Sequence, residues 1–413
     1  MKRTPKKIDA PKFLATICLL AQQYLPSYNN LASRFHVSFC VSASRQAFWK
    51  RVNNPCVLFF QAILEKLIVL KFNIEELSDY TKTCPYKRVL VQDSTIIRLP
   101  SRLFAKFSGV KNASATLCNA RIQGVYDLLS GCFVSFSIDP YTKNDLTAAP
   151  EIELQEGDLV LRDRGYYINN EIQRHMENGA DCIYRYKHKT LLFDSISGDT
   201  IDLLKELEKN NKLDMEVLLN NPKKTKVRLV AFPVKEEIGN KRRMKAIKES
   251  CSKGKLSPDV LKLMSWTIFI TTIPKEKANF DELMAIYRLR WRIEIIFKIW
   301  KSHMRFAQVH NVSANQLNVI LLSRFIMIVI CVNVVFYSYF FKIRQVYGKY
   351  LSLTKLVSFL ILNQDMLNQI IIIDRDNELK SRKSILLTLL RYCIYDTRKR
   401  LNYCQFFELA LLS

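Results

Sequence analysis

The eleven cysteines of this 413-residue chain are scattered and form no C-x-x-C pair, so neither a zinc site nor a disulfide framework is indicated, and a reducing cytoplasm fits. Glycine (10) and proline (12) are sparse, and neither a compositionally biased tract nor a fixed-period repeat stands out. Collagen-like, low-complexity and solenoid architectures are thereby excluded, and a folded globular chain long enough for two to four structural units is expected. Acid is also short: 38 aspartates and glutamates stand against 63 lysines and arginines, a formal charge of +25. An excess of that size points to a polyanionic partner, with nucleic acid the first candidate. The charge is concentrated, with twelve basic and three acidic residues between Lys223 and Lys255.

Two apolar stretches bear on the membrane question. Phe13 to Ala21 follows a basic start, as in a signal peptide, but it has no clear small-residue cleavage site and runs on into Gln22, Gln23 and Tyr24 like an amphipathic helix. Val319 to Phe341 is long enough to span a bilayer, yet it contains Arg324 and Asn333. A central arginine costs about 2.5 to 3.5 kcal/mol on insertion scales, so a buried core helix and no membrane partner are expected.

Residues 1–84 read as helical. Asn30 to Ser38 followed by Ser44 to Arg51 has the form of a helix-turn-helix whose second helix exposes Arg45, Gln46, Lys50 and Arg51 for phosphate and base-edge contacts. At Lys87 the pattern changes. Arg88 to Ile97 is an apolar strand, Ala120 to Ile138 a hairpin turning at Ser130-Gly131, Asp145 to Leu154 a helix, and Gly157 to Leu161 a short strand ending on Arg162-Asp163-Arg164-Gly165. From about Tyr166 to Ser265, short strands such as Met215 to Leu219 and Lys226 to Phe232 alternate with charged helices. A strand from Ser265 to Ile273 then leads into one long helix, about Phe280 to His303, opened by an Asn279/Glu282 capping box. The divisions expected are a helical DNA-binding domain (1–84), a catalytic core in two parts (85–166 and 266–310), a mostly β insertion (167–265) and a C-terminal helical region for DNA-end contact or dimerisation (311–413).

Tyr287, Arg290, Glu294 and Lys301 are spaced by three, four and seven residues. On a straight helix they share an arc of roughly 60°, beside an apolar arc that contains Ile293, Ile296, Phe297 and Trp300. An exposed face with ordinary ion pairs gives the same pattern. Asp93 lies in the apolar strand that ends in Ser94-Thr95, and Asp163 lies at the end of another. Either alone reads as a turn aspartate, but two strand-end aspartates and a glutamate on a later helix can converge on hard cations that keep positions open for water and phosphate.

Asp93-Ser94-Thr95, Asp163-Arg164-Gly165-Tyr166-Tyr167 and Tyr287-x2-Arg290-x3-Glu294-x6-Lys301 resemble the signature of the insertion-sequence-four family of bacterial DDE transposases, whose last motif is Y-R-E-K. The motifs span about half the chain. The resemblance implies an α/β fold with a ribonuclease-H-like mixed-sheet core, a mostly β insertion in the 130 residues between Asp163 and Glu294, and flanking helical regions. It further implies that Asp93, Asp163 and Glu294 hold two Mg²⁺ or Mn²⁺ ions, while Tyr287, Arg290 and Lys301 grip phosphates and Trp291 stacks on a displaced base or packs in the core. Arg164, Lys241, Arg242 and Arg243 are further candidate DNA contacts. The activity implied is cut-and-paste transposition through a hairpin, by a homodimer bridging terminal inverted repeats and then target DNA, in the bacterial cytoplasm at the nucleoid. The alternatives are a metal-dependent ribonuclease-H-like nuclease and a non-catalytic inhibitor derived from a transposase.

Overall fold

The computed structural model describes residues 7–20, 27–69, 74–103, 108–112, 115–143, 151–250, 256–303, 305, 308, 312–364, 366, 378–397 and 400–412. The first helices are α1 (Ala10–Leu20), α2 (Tyr28–Phe39), α3 (Arg45–Arg51), α4 (Asn54–Val69) and α5 (Ile74–Tyr80). The strands β1 (Arg88–Arg98), β2 (Ser108–Asn112), β3 (Ala115–Asp127), β4 (Cys132–Pro140) and β5 (Asp158–Arg162) follow. Next come α6 (Asn169–Glu177), β6 (Asp181–Arg185), β7 (Leu192–Asp194), α7 (Leu203–Lys209), β8 (Leu213–Leu219), β9 (Lys226–Pro233), α8 (Glu236–Ser250), α9 (Pro258–Leu263) and β10 (Trp266–Thr271). The chain closes with α10 (Phe280–Arg288), α11 (Trp291–Ser302), α12 (Ala314–Val329), a π-helix (Ile330–Phe336), α13 (Tyr337–Tyr347), α14 (Leu353–Leu362), α15 (Glu378–Tyr392) and α16 (Tyr403–Leu411). The helix expected at 145–154 falls mostly outside the described residues, and 151–154 carry no regular structure.

Contacts divide the chain into two units, one of Met1–Thr83, Ser94–Pro150 and Trp291–Glu408, the other of Cys84–Asp93, Glu151–Arg290 and Leu409–Ser413. β1 gives its first half to the second unit and its second half to the first.

In the second unit the strands run in the order β1, β5, β6, β10, β9, β8, β7. β1, β5 and β6 are parallel, whereas β10 is antiparallel to both β6 and β9. β5 is buried along its whole length, as a central parallel strand covered on both faces must be, which is why it reads as an unbroken apolar run. Its first residue, Asp158, is fully buried and accepts a hydrogen bond from Arg88 Nε at 2.8 Å, tying together the starts of two neighbouring strands. β7 to β9 extend this sheet on its antiparallel side.

In the first unit β3 lies between β4 and the second half of β1, with β2 also on β3. The strand path β4, β3, β1, then β5, β6, with the last three parallel, is the ribonuclease-H-like order. The β3–β4 hairpin turns where expected. Asp127 accepts from the amides of Leu129 and Ser130 (3.1 and 3.2 Å), and Gly131 takes φ +66°. Trp300 of α11 is packed among Phe133, Phe297 and Phe325. The apolar stretch from 319 to 341 lies in a continuous helix, Ala314–Tyr347, that is long and apolar enough to cross a membrane and whose most apolar window is 89% buried inside the protein. Arg324 within it is buried, donates to the Gln308 carbonyl at 3.0 Å, and is pushed down to about 10 by desolvation and by Arg305.

A Cβ on Gly131 would lie 1.6 Å from the Tyr337 hydroxyl, in a left-handed backbone that disfavours side chains. Gly131→Ala therefore combines overpacking with backbone strain, and a loss of about 2 kcal/mol or more is expected, read as a lowered midpoint in thermal or urea unfolding. An unchanged midpoint would show that the hairpin and α13 do not meet.

Candidate active site

The register of two parallel strands builds the centre of the site. Arg88 to Val91 of β1 lie opposite Asp158 to Leu161 of β5. Asp93 lies two residues further on within β1, and Asp163 directly follows β5 with an extended backbone (φ −78°, ψ 165°), so the register continued by two residues would pair them. Side chains alternate in strands, so that continued register would set both carboxylates on one sheet face, on chains about 4.8 Å apart. Such a pair offers the hard oxygen donors that a divalent cation of the magnesium class requires. Among the described residues no group of three or more His, Cys, Asp or Glu side chains that could hold a metal is present.

Two further side chains of the same unit reach the pair. Arg290 Nη1 donates to Asp93 Oδ2 at 3.2 Å, with both side chains largely buried. The Tyr287 hydroxyl lies 3.5 Å from Asp163 Oδ1 and 3.4 Å from the Arg162 carbonyl, its ring packed on Phe269. Burial holds the Tyr287 phenol well above its ordinary pKa, so it remains a donor.

The single helix expected from Phe280 to His303 is interrupted. Leu289 and Arg290 form a turn in which their amides bond to Ile286 and Tyr287 at 3.0 and 3.1 Å, a tightened i→i−3 pattern. Leu289, Arg290, Arg292 and Ile293 are all buried, and four buried positions in five successive residues cannot share one side of a straight helix. Tyr287 therefore belongs to α10 and Arg290 to the turn, while Glu294 and Lys301 belong to α11. The capping box is present, with Asn279 accepting from the amides of Asp281 and Glu282, and Glu282 accepting from the Asn279 amide. Glu294 is half-buried in the first turn of α11, Lys301 is exposed in its last turn, and Trp291 at its start is 59% exposed.

Arg162, next to Asp163 in the chain, anchors a partly buried network. Arg162 donates to Glu171 Oε2 and to the Tyr184 hydroxyl (3.2 Å each), and Arg174 donates to Glu171 at 3.3 Å. The Tyr184 hydroxyl lies 3.4 Å from His175 Nε2. Burial, reinforced by Arg162, pushes His175 down to about 3, so it is neutral at working pH.

A pocket is lined by Arg164, Arg185, Tyr186, His188, Arg242 and Trp266, with Leu263 and Met264 among its apolar members. Lys241 is exposed on α8. Arg242 and Arg243 are instead anchored, Arg242 Nη1 to the Trp266 carbonyl at 3.0 Å and Arg243 to Ser265 Oγ at 2.6 Å. In the N-terminal helices, α2 and α3 form the helix pair read from the sequence, joined through left-handed Cys40 and the N-cap Ser44. Arg45, Gln46, Trp49 and Lys50 are exposed, and Arg51 is half-buried with Nη1 on the Ala47 carbonyl.

The family model described as the transposase DDE domain matches residues 85–330, well over half of the chain and including both aspartates and Glu294. The chain belongs to that family. The transposase for insertion sequence element IS231E of Bacillus thuringiensis subsp. finitimus is 27% identical over 358 residues, 80% of this chain and 73% of that relative. The transposase for IS1151 of Clostridium perfringens is 27% identical over 333 residues, 75% of this chain and 70% of that relative. A cryo-EM structure of the piggyBac transposase synaptic complex with hairpin DNA aligns with a TM-score of 0.41 at 9% identity, over 95% of this chain and 77% of that one. This transposase is thus a DNA-cleaving and strand-transferring enzyme of the insertion-sequence class.

Arg185, His188 and Trp266 escaped the sequence reading of the transposase. They come from β6, the loop after it and β10, and only the pairing of β6 with β10 brings them together. The aromatic Trp266 within a run of β-branched residues was the one available signal.

The buried histidine gives the transposase an acid sensitivity. Its folded pKa lies below the ordinary value of 6.5, so below that pH the unfolded chain binds a proton that the folded chain refuses, and stability falls as pH falls. Between pH 7 and 5 the loss attributable to His175 is expected to reach about 2 kcal/mol. His175→Gln should flatten the pH dependence of the unfolding midpoint over that interval, whereas equal slopes in variant and parent would show that His175 is solvated.

Proposed function

We propose that this transposase excises and inserts an insertion sequence by cut-and-paste transposition, with Asp93, Asp163 and Glu294 as its metal-holding carboxylates. The observation that supports the reading is the parallel register of β1 and β5, which aligns the stretches leading to Asp93 and Asp163. Dependence on divalent metal is general in the family. Here Asp93, Asp163 and Glu294 would hold two Mg²⁺ or Mn²⁺ ions, whose chemistry is to activate a water or 3′-hydroxyl and to stabilise the leaving oxygen.

The rest of the work falls to this chain's own groups. Arg290 holds Asp93 in place and offers its planar fork to a phosphate beside the cut. The Tyr287 hydroxyl steadies Asp163 from the sheet face. Lys301 supplies a compact exposed charge, and Trp291 and Arg164 present exposed surface to the DNA. The cationic pocket of Arg164, Arg185, His188 and Arg242 continues this positive surface past Asp163. Lys241 on α8, together with Arg45, Lys50 and Arg51 on α3, would track the phosphate backbone of the element end, while Arg242 and Arg243 mainly fasten α8 to β10. The substrates proposed are double-stranded ends with terminal inverted repeats and then target DNA, joined through a hairpin by a homodimer acting in the cytoplasm at the nucleoid.

The test is incubation with linear DNA carrying the parent element's ends plus Mg²⁺, followed by a denaturing gel. Nicked, hairpin and joined products are expected. Asp93→Ala, Asp163→Ala and Glu294→Ala should each abolish cleavage while leaving end binding within about threefold, because losing a metal ligand removes the chemistry and spares the phosphate contacts. Robust cleavage by any one of them removes that residue from the site. Blunt cuts with no hairpin or joined strand would leave a plain nuclease.

Binding should also weaken steeply with salt. Lys241→Ala should reduce the slope of log K against log salt by about one unit, as expected for one lost phosphate contact. An unchanged slope would place α8 off the DNA path.

A further inference from the structure

Arg292, two residues before Glu294, is only 3% exposed, so a guanidinium is buried in the first turn of α11. What surrounds it is aromatic. Its central carbon stands 4.4 Å over the Tyr403 ring and 5.9 Å from the Phe336 ring, and Tyr126, Tyr337 and Tyr395 also interact with it. Burial raises these phenols, Tyr126 to about 12 and Tyr337 further. They therefore remain neutral, presenting dipoles and ring faces rather than anions to the cation.

The cage is assembled from distant parts of one unit. Tyr126 lies near the end of β3, in edge contact with Phe133 across the hairpin at 4.8 Å. Phe336 ends the π-helix and Tyr337 follows it. Such a segment carries an extra residue per turn and so re-aims the side chains beyond it, which is why π-helical turns recur at functional places. Tyr395 and Tyr403 come from the C-terminal segment. On an α-helix two residues correspond to about 200°, so the caged side of α11 is opposite the side that bears Glu294.

We propose that Arg292 and its tyrosine cage are positioning residues that fix the rotation of the first turn of α11 and hence the aim of the Glu294 carboxylate. The C-terminal segment thereby becomes part of the support of the catalytic glutamate, through Tyr395 and Tyr403. The inference rests on the reading of Glu294 as a metal-holding carboxylate. Burying a guanidinium is costly, and lysine cannot reproduce its planar stacking on Tyr403. A side chain needed only to fill space would have been apolar at lower cost.

The experiment uses the full chain bound to pre-cut element-end DNA, with Mn²⁺ binding followed by electron paramagnetic resonance and Mg²⁺-dependent cleavage measured separately. Four proteins are compared: the parent, Arg292→Lys, the double variant Tyr395→Phe with Tyr403→Phe, and Glu294→Gln as reference. The double variant removes two oxygens and keeps both rings, so it decides the matter if the lysine variant fails to fold. The expected result is end binding equal to the parent, with Mn²⁺ affinity lowered about 10-fold or more, the size usual when a ligand's support is lost. Raised metal concentration should restore part of the cleavage in these variants but none in Glu294→Gln. A folded cage variant with the parent's Mn²⁺ isotherm and metal dependence overturns the inference while leaving Glu294 in the site. Parent-like Mn²⁺ binding and cleavage in Glu294→Gln overturns both.

Discussion

Two carboxylates placed side by side are the constraint on which the rest of this structure depends. The parallel register of β1 and β5 leads to Asp93 on one chain and Asp163 on its neighbour, and two carboxylates on neighbouring strands repel. A chain that keeps such a pair on its central strands must compensate it. Arg290 supplies a cation to Asp93, and Tyr287 brings a hydroxyl to Asp163. Both come from the turn and the helix end where α10 gives way to α11, so the break in that helix and the aspartate pair belong to one arrangement.

Burial of arginine recurs throughout that arrangement. Arg162 sits behind Asp163 among Glu171 and Tyr184, Arg290 faces Asp93, and Arg292 lies in its tyrosine cage. Each lies within two residues of a carboxylate assigned to catalysis or pairs with one directly. A guanidinium holds its charge at every working pH and offers donors in a fixed plane, which suits it to fixing backbone that must not drift when a highly charged substrate arrives.

Much of the fold could be read from the residues because local chemistry decided it. The apolar run of β1, the short buried β5, the Ser130-Gly131 turn and the Asn279/Glu282 box each follow from propensity and turn geometry acting within a few residues. The helix break at Leu289-Arg290 left no such trace, since both residues and their neighbours are sound helix formers and only tertiary burial on several sides interrupts them. The burial of Arg162, Arg290 and Arg292 was equally hidden, because a charged side chain in sequence reads as surface. The pocket of Arg185, His188 and Trp266 depends on a pairing of β6 with β10 about eighty residues apart. Motif spacing names the two aspartates and Glu294 as candidates, while the way Arg290 and Tyr287 attend to the aspartates needed coordinates.

The central claim is that Asp93, Asp163 and Glu294 hold the same metal ions. Loading the protein, bound to element-end DNA, with Fe²⁺ in place of Mg²⁺ and generating hydroxyl radicals with peroxide and ascorbate tests it most directly, because backbone cuts then mark whatever lies beside the metal. Cuts near residues 93, 163 and 294, all suppressed together by excess Mg²⁺, are the result this account predicts. Cuts at 93 and 163 without any near 294, or a pattern that Mg²⁺ does not suppress, would contradict it.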